Sequence, residues 1–238
     1  MEIYEDINYG VLRHTGRNQN VLDVGCGTGL IGSIVKKDGN KVTGITNSPE
    51  EVKIARKRLD RVYNWDLHNV KRIKLPKNHF DLIMFNDVLD HILNPDEVLR
   101  HFRQFLKPGG RIIVVLPNIA SWNIRLYHLI GKYDYKESGI LDRTHLHAYT
   151  LRTAKNLIKE SGYHVVKVDV TPNLARPFVP LIVPLKKGSH ERLVRDRKIL
   201  SSPMYRLYVK LVMPLEKLIA RLWKTFFSYQ FILVAKPK

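Results

Sequence analysis

A strand followed by a glycine turn lies near the start of the chain, at residues 21–29 (VLDVGCGTG). The apolar residues before the turn predict a buried strand, and the helical spacing over residues 30–35 predicts that a helix follows directly. Glycines at alternate positions allow positive φ angles and let the backbone approach a ligand closely, as in a nucleotide-binding turn. Asp23 precedes the turn, and its carboxylate suits a cationic or hydroxylated ligand better than a pyrophosphate.

The elements that would position this turn alternate along the chain. Apolar runs predict strands over residues 20–25, 41–46, 61–65, 80–85, 111–116, 163–170 and 231–235. Helical spacing predicts helices over residues 3–14, 29–38, 48–59, 96–106 and 151–161. The third of these begins with a near-complete capping box made by Ser48, Pro49 and Glu51. This alternation indicates a doubly wound parallel sheet, which is an α/β fold.

The charge balance of the chain is unusual. Its 238 residues include 40 Lys and Arg against 22 Asp and Glu, a net charge of +18. This excess points to an anionic partner: a phospholipid surface, nucleic acid or an acidic glycan. The lone cysteine excludes an intrachain disulfide framework and fits a reducing compartment. We expect a cytoplasmic protein, because the acidic first residues are unlike a signal peptide and no apolar run is long enough to span a membrane.

Four motifs follow one another in the chain: VLDVGCGTG at 21–29, FDLI at 80–83, DVLDH at 87–91 and LKPGG at 106–110. This ordered set resembles the motifs of class I S-adenosylmethionine-dependent methyltransferases over about residues 10–170 and the last strand. The segments PN at 117–118 and GILDRTHL at 139–146 resemble a subgroup like the quinone-pathway O-methyltransferases and the glycan-cluster methyltransferases. The resemblance implies a Rossmann-like methyltransferase fold, a seven-stranded sheet with an antiparallel last strand, and S-adenosyl-L-methionine as cofactor.

The resemblance also assigns positions to this cofactor. The residues of the glycine turn would hold its amino-acid end: Asp23, Gly25, Cys26, Gly27, Gly29 and Leu30. The family usually has an acid at the end of the second strand to bind the ribose hydroxyls, where this chain has Thr46 and Asn47, which are weaker acceptors than a carboxylate. Residues after the third and fourth strands would contact the adenine (Trp65, Asp66 and Leu67) and line the floor near the sulfonium (Asn86, Asp87 and Val88).

Methyl transfer from a sulfonium is a direct displacement, so the protein must supply alignment and dryness first and a base second. The candidate bases are His91, Asp142, His145 and His147. If the polar segment around His145 lies over the cofactor, one of these groups could take a proton from a hydroxyl nucleophile while Arg143 grips an anionic group. In the alternative interpretation, Asp142 and Arg143 pair with each other and the histidines brace the loop. No metal site is predicted.

Other interpretations of the same motifs remain open at this stage. Residues 27–32 match GxGxxG, but this glycine set starts late after the strand and the acid expected about 20 residues further on is missing, which disfavours a nicotinamide-binding fold. Cys26 could be a nucleophile, although a small residue in a ligand-covered turn is the simpler interpretation. The net charge of +18 keeps an RNA methyltransferase as an alternative, and the missing ribose acid keeps a non-catalytic binding partner with this fold.

The chain changes character at residue 171. Residues 171–228 contain 12 Lys and Arg against 3 Asp and Glu, together with an amphipathic stretch over 203–227 that Pro214 should kink or divide. We therefore expect a methyltransferase domain over 1–170 and 229–238, and a basic, partly helical insertion over 171–228. The insertion would cover a small-molecule or lipid-linked acceptor, or dock peripherally on the anionic inner face of the membrane.

Overall fold

The computed structural model describes residues 8–174 and 208–238, which form a seven-stranded sheet with helices on both faces. Its strands are β1 Asn20–Val24, β2 Lys41–Thr46, β3 Arg61–Asn64, β4 Phe80–Asn86, β5 Leu106–Pro117, β6 Tyr163–Pro172 and β7 Ser228–Pro237. They lie in the order β3-β2-β1-β4-β5-β7-β6. The strands pair in parallel except β7, which is antiparallel to both β5 and β6. The predicted fold class is confirmed.

The helices occupy most of the predicted segments. They are α1 Tyr9–Leu12, α2 Leu30–Lys36, α3 Pro49–Ala55, α4 Pro95–Phe102, α5 Trp122–Leu129, α6 Leu151–Glu160 and α7 Met213–Leu222. Helix α3 is shorter than predicted, and the 96–106 segment changes to a 3₁₀ turn at Arg103–Phe105. Helix α5 was not predicted, and residues 3–7 of the first predicted helix lie outside the described residues.

Alternation along the central strands explains why both faces of the sheet are covered. On one face, Val21 and Leu82 pack with Ile31 and Val52 of α2 and α3. On the other face, the neighbouring strand residues pack with α4 and α6 (Leu22, Ile83, Leu99 and Ile158). Because successive side chains of a strand point to opposite faces, each central strand contributes to both cores. The buried sheet thereby fixes the strand ends at which a ligand would bind.

The described part of the insertion packs in an unexpected orientation. A π-helical turn at Tyr208–Val212 precedes α7, and Pro214 lies in the first turn of that helix, as a division at this proline predicts. Glu216 is buried and accepts a hydrogen bond from the Leu174 backbone N–H at 2.6 Å. The apolar stripe of the helix is instead exposed: Leu211, Leu215, Leu218 and Leu222. The helix thus contacts the sheet through a polar anchor and presents its apolar stripe outward.

Among residues 8–174 and 208–238, none of the helices combines the length and the apolar character that crossing a bilayer requires.

A buried carboxylate holds α7 to the sheet. Asp169 of β6 is 4% exposed and lies 3.1 Å from His14 Nε2 and 3.6 Å from Arg221 Nε of α7. The hydrogen bond from His14 holds the pKa of Asp169 far below its usual range, despite the opposing effect of burial, and the Val170 N–H and the charges of Arg13 and Arg221 act in the same direction. The carboxylate therefore stabilises the fold in its ionised form.

We predict that Asp169→Asn lowers the free energy of unfolding by about 2 kcal/mol at pH 7, because it leaves the basic partners without their counter-charge. A carboxylate whose pKa is lower in the folded than in the unfolded protein stabilises the fold at pH values above the unfolded pKa of about 4. This stabilisation is lost as the pH falls from that value toward the folded pKa. The difference between wild type and variant should therefore shrink below about pH 4. Denaturant unfolding at several pH values measures it, and Asp38→Asn, at an exposed ion pair, is the control. Equal effects of the two substitutions would contradict the assignment.

Candidate active site

The strand order reverses between β1 and β4, and open α/β sheets bind ligands at the carboxyl ends of the strands where this reversal occurs. The two loops that leave these strand ends touch each other. A Cβ built on Gly25, after β1, would collide with the Val88 side chain, after β4. The predicted glycine turn and the predicted floor are therefore brought together.

The glycine turn has the backbone that its sequence predicts. Gly25, Gly27 and Gly29 have φ angles of 72°, 52° and 77°, in a region that residues other than glycine rarely adopt. Arg58 holds the turn from α3's side by donating to the Thr28 hydroxyl at 2.8 Å and to its carbonyl at 3.2 Å. Gly25 and Gly27 remain partly exposed, and Leu30 begins α2 behind them. The turn offers a backbone ledge on which a ligand can lie.

Asp23 and Cys26 lie beneath this ledge. Asp23 is 2% exposed, and its carboxylate accepts a hydrogen bond from the backbone of Gly32 in α2. Burial raises the pKa of Asp23 to about 7, and the Gly32 hydrogen bond opposes this shift. Cys26 packs against Gly44 of β2, and burial together with the nearby charges of Asp23 and Glu51 raises the pKa of its thiol. Because the reactive thiolate form of Cys26 is disfavoured, the interpretation of Cys26 as a packing residue is the better one.

The segment assigned to the adenine follows β3. Trp65 stacks on Tyr63 with ring centroids 4.2 Å apart and packs against the core, and Leu67 is buried in that core. Asp66 is exposed and caps the next 3₁₀ turn, accepting from the His68 N–H at 2.9 Å and the Asn69 side chain at 3.1 Å. Its role toward adenine stays a prediction, and the structure adds a local capping role.

The side-chain contacts at the end of β2 differ from those expected from the sequence. Thr46 is 5% exposed and donates its hydroxyl hydrogen bond to Glu51 Oε2 at 2.5 Å, whereas Asn47 is exposed. The Ser48 hydroxyl accepts from the Glu51 N–H at 3.3 Å, so one half of the capping box forms. The Glu51 carboxylate turns back to the strand end instead of completing the box. Sequence reasoning named Glu51 only as a capping residue and missed this position.

The floor of the crevice carries an unusual polar group. Asn86, the last residue of β4, has a buried side-chain oxygen without a hydrogen-bond partner in the described part of the chain. Such an acceptor costs about 1–3 kcal/mol unless a donor meets it. Asp87 adopts a positive φ of 52° and accepts from Gln230 Nε2 at 2.6 Å. A ligand carrying N–H or O–H donors fits this acceptor and the open glycine ledge.

A cavity of about 140 Å³ lies beside this crevice, at the carboxyl end of β5. Its walls combine polar groups with apolar and aromatic side chains, and its lining includes Pro117, Tyr133, Tyr135, Leu141, His145 and His147. Asn118, fully buried next to this wall, donates to the Ser228 carbonyl at 2.9 Å and so ties the end of β5 to the start of β7. A cavity of this size is close to the roughly 150 Å³ that holds a benzene ring, so it suits one small aromatic group.

His145 is the cavity residue with the strongest charge partner. Its Nε2 lies 2.9 Å from Oδ2 of Asp90, which is fully buried, and its Nδ1 lies 3.3 Å from the Ile140 carbonyl. Burial of the ring lowers the pKa of His145, but the hydrogen bond and charge of Asp90 and the charge of Asp142 outweigh it, so the net shift is upward. The imidazolium form thus meets two acceptors and is stabilised.

His91 completes this cluster. Its ring centroid lies 4.7 Å from that of His145, and its Nε2 lies 3.7 Å from Asp90 Oδ2. The potential ligand atoms of Asp90, His91 and His145 lie within 4.8 Å of one another, a spacing that a divalent cation could bridge. Sequence reasoning missed Asp90, although its position next to His91 in the DVLDH motif was the available signal.

The other candidate catalytic residues have local partners. Asp142 accepts from the Thr144 N–H at 2.8 Å and from its hydroxyl at 2.6 Å. Arg143 is exposed and pairs with Glu137 at 3.0 Å, so the predicted alternative of an Asp142–Arg143 pair is wrong. His147 lines the cavity, and its Nε2 lies 3.1 Å from the Leu93 carbonyl. The structure therefore brings Asp142, His145 and His147 to the cavity. Arg143 lies outside its lining.

Comparison with known proteins agrees with this geometry. A family described as a methyltransferase domain matches residues 8–168. The chain therefore belongs to the methyltransferase domain family, and the nicotinamide-binding alternative is set aside. A ubiquinone biosynthesis O-methyltransferase of Coxiella burnetii (strain RSA 331 / Henzerling II) is 26% identical over 144 residues, 59% of this chain and 61% of that protein. One of Yersinia pestis (strain Pestoides F) is 28% identical over 185 residues, 74% and 70% of the two chains.

The chain spans about three fifths of the length of the Coxiella relative. A solved SAM-dependent methyltransferase of Archaeoglobus fulgidus superposes with a TM-score of 0.59 at 20% identity, covering 95% of this chain and 91% of that one. At this identity the likeness shows the fold. Family and fold together imply S-adenosyl-L-methionine as the cofactor.

The contact between the two loops yields a prediction for Gly25→Ala. The added Cβ is strained at a positive φ and also collides with Val88. The collision should lower the free energy of unfolding by about 1–3 kcal/mol beyond the strain and weaken binding of S-adenosylhomocysteine. Gly109 is a matched control, because its φ of 79° is similar but nothing lies within 4 Å of an added Cβ. Gly109→Ala should lose about 1 kcal/mol and keep its ligand affinity. Thermal unfolding and calorimetry measure both; similar losses in the two variants would refute the contact's role.

Proposed function

We propose that this protein transfers the methyl group of S-adenosylmethionine to a hydroxyl of a small-molecule acceptor. The observation that carries the proposal is the ion-paired His145, which lines a cavity beside the strand ends that bind ligands in this fold. The relatives named as ubiquinone biosynthesis O-methyltransferases support a hydroxyl as the methylated group. The alternatives of an RNA acceptor and of a non-catalytic binding partner rest on net charge and on the absence of an acid at Thr46 and Asn47.

The cofactor, when bound, supplies an electrophilic methyl group on a sulfonium. In the proposed arrangement, the ledge at Gly25 and Gly27 holds its amino-acid end, and the unpartnered oxygen of Asn86 accepts from its donors. Asp23 positions the ledge from below through Gly32, while Trp65 forms a wall for the adenine. The chain thereby fixes the direction of approach, which is the main demand of a direct displacement.

His145 is the proposed general base. In this proposal the neutral ring carries its proton on Nε2, which lies 2.9 Å from Asp90 Oδ2, and Nδ1 accepts the proton of the acceptor hydroxyl. The imidazolium that forms is then stabilised by the Asp90 carboxylate and the Ile140 carbonyl. The hydrogen bond and charge of Asp90 raise the pKa of His145 despite its burial, which makes the imidazole a stronger base.

We predict that His145→Ala lowers turnover by about 100-fold or more while affinity for S-adenosylhomocysteine is unchanged, because the base is lost and the ledge is intact. Labelled methyl transfer to a catechol or hydroxybenzoate panel measures turnover, and calorimetry measures affinity. His164→Ala, at an exposed position on β6, is the control. A normal rate in His145→Ala would exclude His145 from the mechanism. Repeating the assay with EDTA, then with added Mg²⁺ or Mn²⁺, separates proton transfer from ion binding at the same cluster.

We further infer that the protein is cytoplasmic and that its insertion associates with the anionic inner face of a membrane. Twelve of the large apolar residues exposed in the described chain lie in two segments, residues 126–135 and 211–223. These segments adjoin each other, since the Trp122 N–H donates to the Phe226 carbonyl and Arg125 lies over the Phe226 ring. Lys132 and Lys136 add positive charge beside the first segment, and Lys210 adds it beside the second. Exposed apolar side chains flanked by cations favour an anionic bilayer surface.

Vesicle flotation tests this association. The wild type should bind vesicles containing phosphatidylglycerol at low salt and dissociate as salt rises. Attraction to the anionic surface contributes about 1 kcal/mol of binding free energy per surface cation, and salt screens it. Leu218→Glu/Leu222→Glu should reduce the bound fraction several-fold, whereas Val166→Glu, at an exposed apolar position on β6, should not. Absence of binding by the wild type at low salt would refute the association and leave methyl transfer as the whole of the proposed function.

A further inference from the structure

We propose that Glu51, reached from helix α3, is the carboxylate that binds the ribose hydroxyls, in place of the usual acid at the end of the second strand. This inference rests on the proposed function, because it concerns the same cofactor crevice. Glu51 lies five positions after Thr46, in the first turn of α3, and its side chain reaches back to the end of β2.

The Glu51 carboxylate is held at the end of β2. Its Oε2 accepts the Thr46 hydroxyl proton at 2.5 Å, so one oxygen is fixed at the carboxyl end of β2. Its Oε1 is the atom found within 4 Å of where a Cβ on Gly27 would lie, at 3.8 Å. The carboxylate therefore lies between the end of β2 and the open side of the glycine ledge, which is where the resemblance implies a ribose-binding group.

The end of β2 joins Glu51 to the segment that follows β3. The Trp65 N–H donates to the Thr46 carbonyl at 3.0 Å, which joins the end of β2 to the start of the proposed adenine wall. Glu51 thus lies between the ledge for the amino-acid end and the wall for the base. A nucleoside bound across these elements would present its vicinal hydroxyls to this carboxylate.

The chemistry of Glu51 suits two adjacent hydroxyls better than that of Thr46. Thr46 carries a single hydroxyl proton, and that proton is given to Glu51, so Thr46 acts as a positioning residue. A carboxylate can accept hydrogen bonds from two adjacent hydroxyls, and charged acceptors form hydrogen bonds about twice as strong as neutral ones. The backbone of Glu51 is held by Ser48, and its side chain is half-buried, so the acceptor is preorganised.

Calorimetric titration with S-adenosylhomocysteine tests the assignment by binding rather than by turnover. Glu51→Gln should weaken affinity by about tenfold or more, as expected when a charged acceptor becomes neutral. Glu50→Gln is the matched control, since Glu50 is exposed on the same helical turn, and its affinity should equal that of the wild type. Thr46→Asp/Glu51→Gln should recover most of the loss, because it restores a carboxylate at the strand end.

The 2′-deoxy analogue of S-adenosylhomocysteine separates ribose recognition from general charge effects. It should bind the wild type more weakly than the parent compound, and Glu51→Gln should distinguish the two ligands less. Equal affinity of Glu51→Gln and wild type, in protein with an unchanged unfolding transition, would overturn the role of Glu51 alone. A folded wild type that binds neither compound would overturn the proposed function, and this inference with it.

Discussion

The structure depends on the close approach of the two loops that leave β1 and β4. Strand order reverses between these strands, and the reversal opens the crevice that any ligand of this sheet would use. Because Gly25 meets the Val88 side chain directly, the first loop must lack a Cβ at this position. The buried strands on either side hold both loops at fixed height. The glycine turn and the end of β4 are therefore positioned against each other by this contact.

The elements that bury apolar side chains could be predicted from sequence, because their periodicity carries the signal. This holds for the central strands. The positive φ angles of the turn could also be predicted, from its glycines at alternate positions. Helix α5 was not predicted, since its buried side is reduced to Ile124 and most of its apolar residues are exposed. Glu51 was misjudged for a different reason: a capping motif fixes the backbone of a residue but leaves its carboxylate free to choose a partner. Local pattern therefore predicts elements better than side-chain partners.

The candidate catalytic cluster illustrates the same limit. Asp90 and His145 are 55 residues apart, and only the folded chain places their side chains at 2.9 Å. The sequence indicated that the segment around His145 is too polar for a core, and it does line a cavity. It could not indicate that Arg143 would pair with Glu137 outside that lining. Long-range pairing of charged groups depends on the packing of loops, for which composition gives little information.

The antiparallel last strand has a consequence for how the family could diversify. Pro172 of β6 and Ser228 of β7 are paired partners, so the chain leaves the sheet and re-enters it at neighbouring residues. The insertion is therefore the tip of a hairpin, and closing a longer tip costs only about 0.6 kcal/mol for each doubling of its length. Evolution can lengthen, shorten or recompose this segment while β6 and β7 keep their register. Such changes would leave the crevice between the ends of β1 and β4 in place.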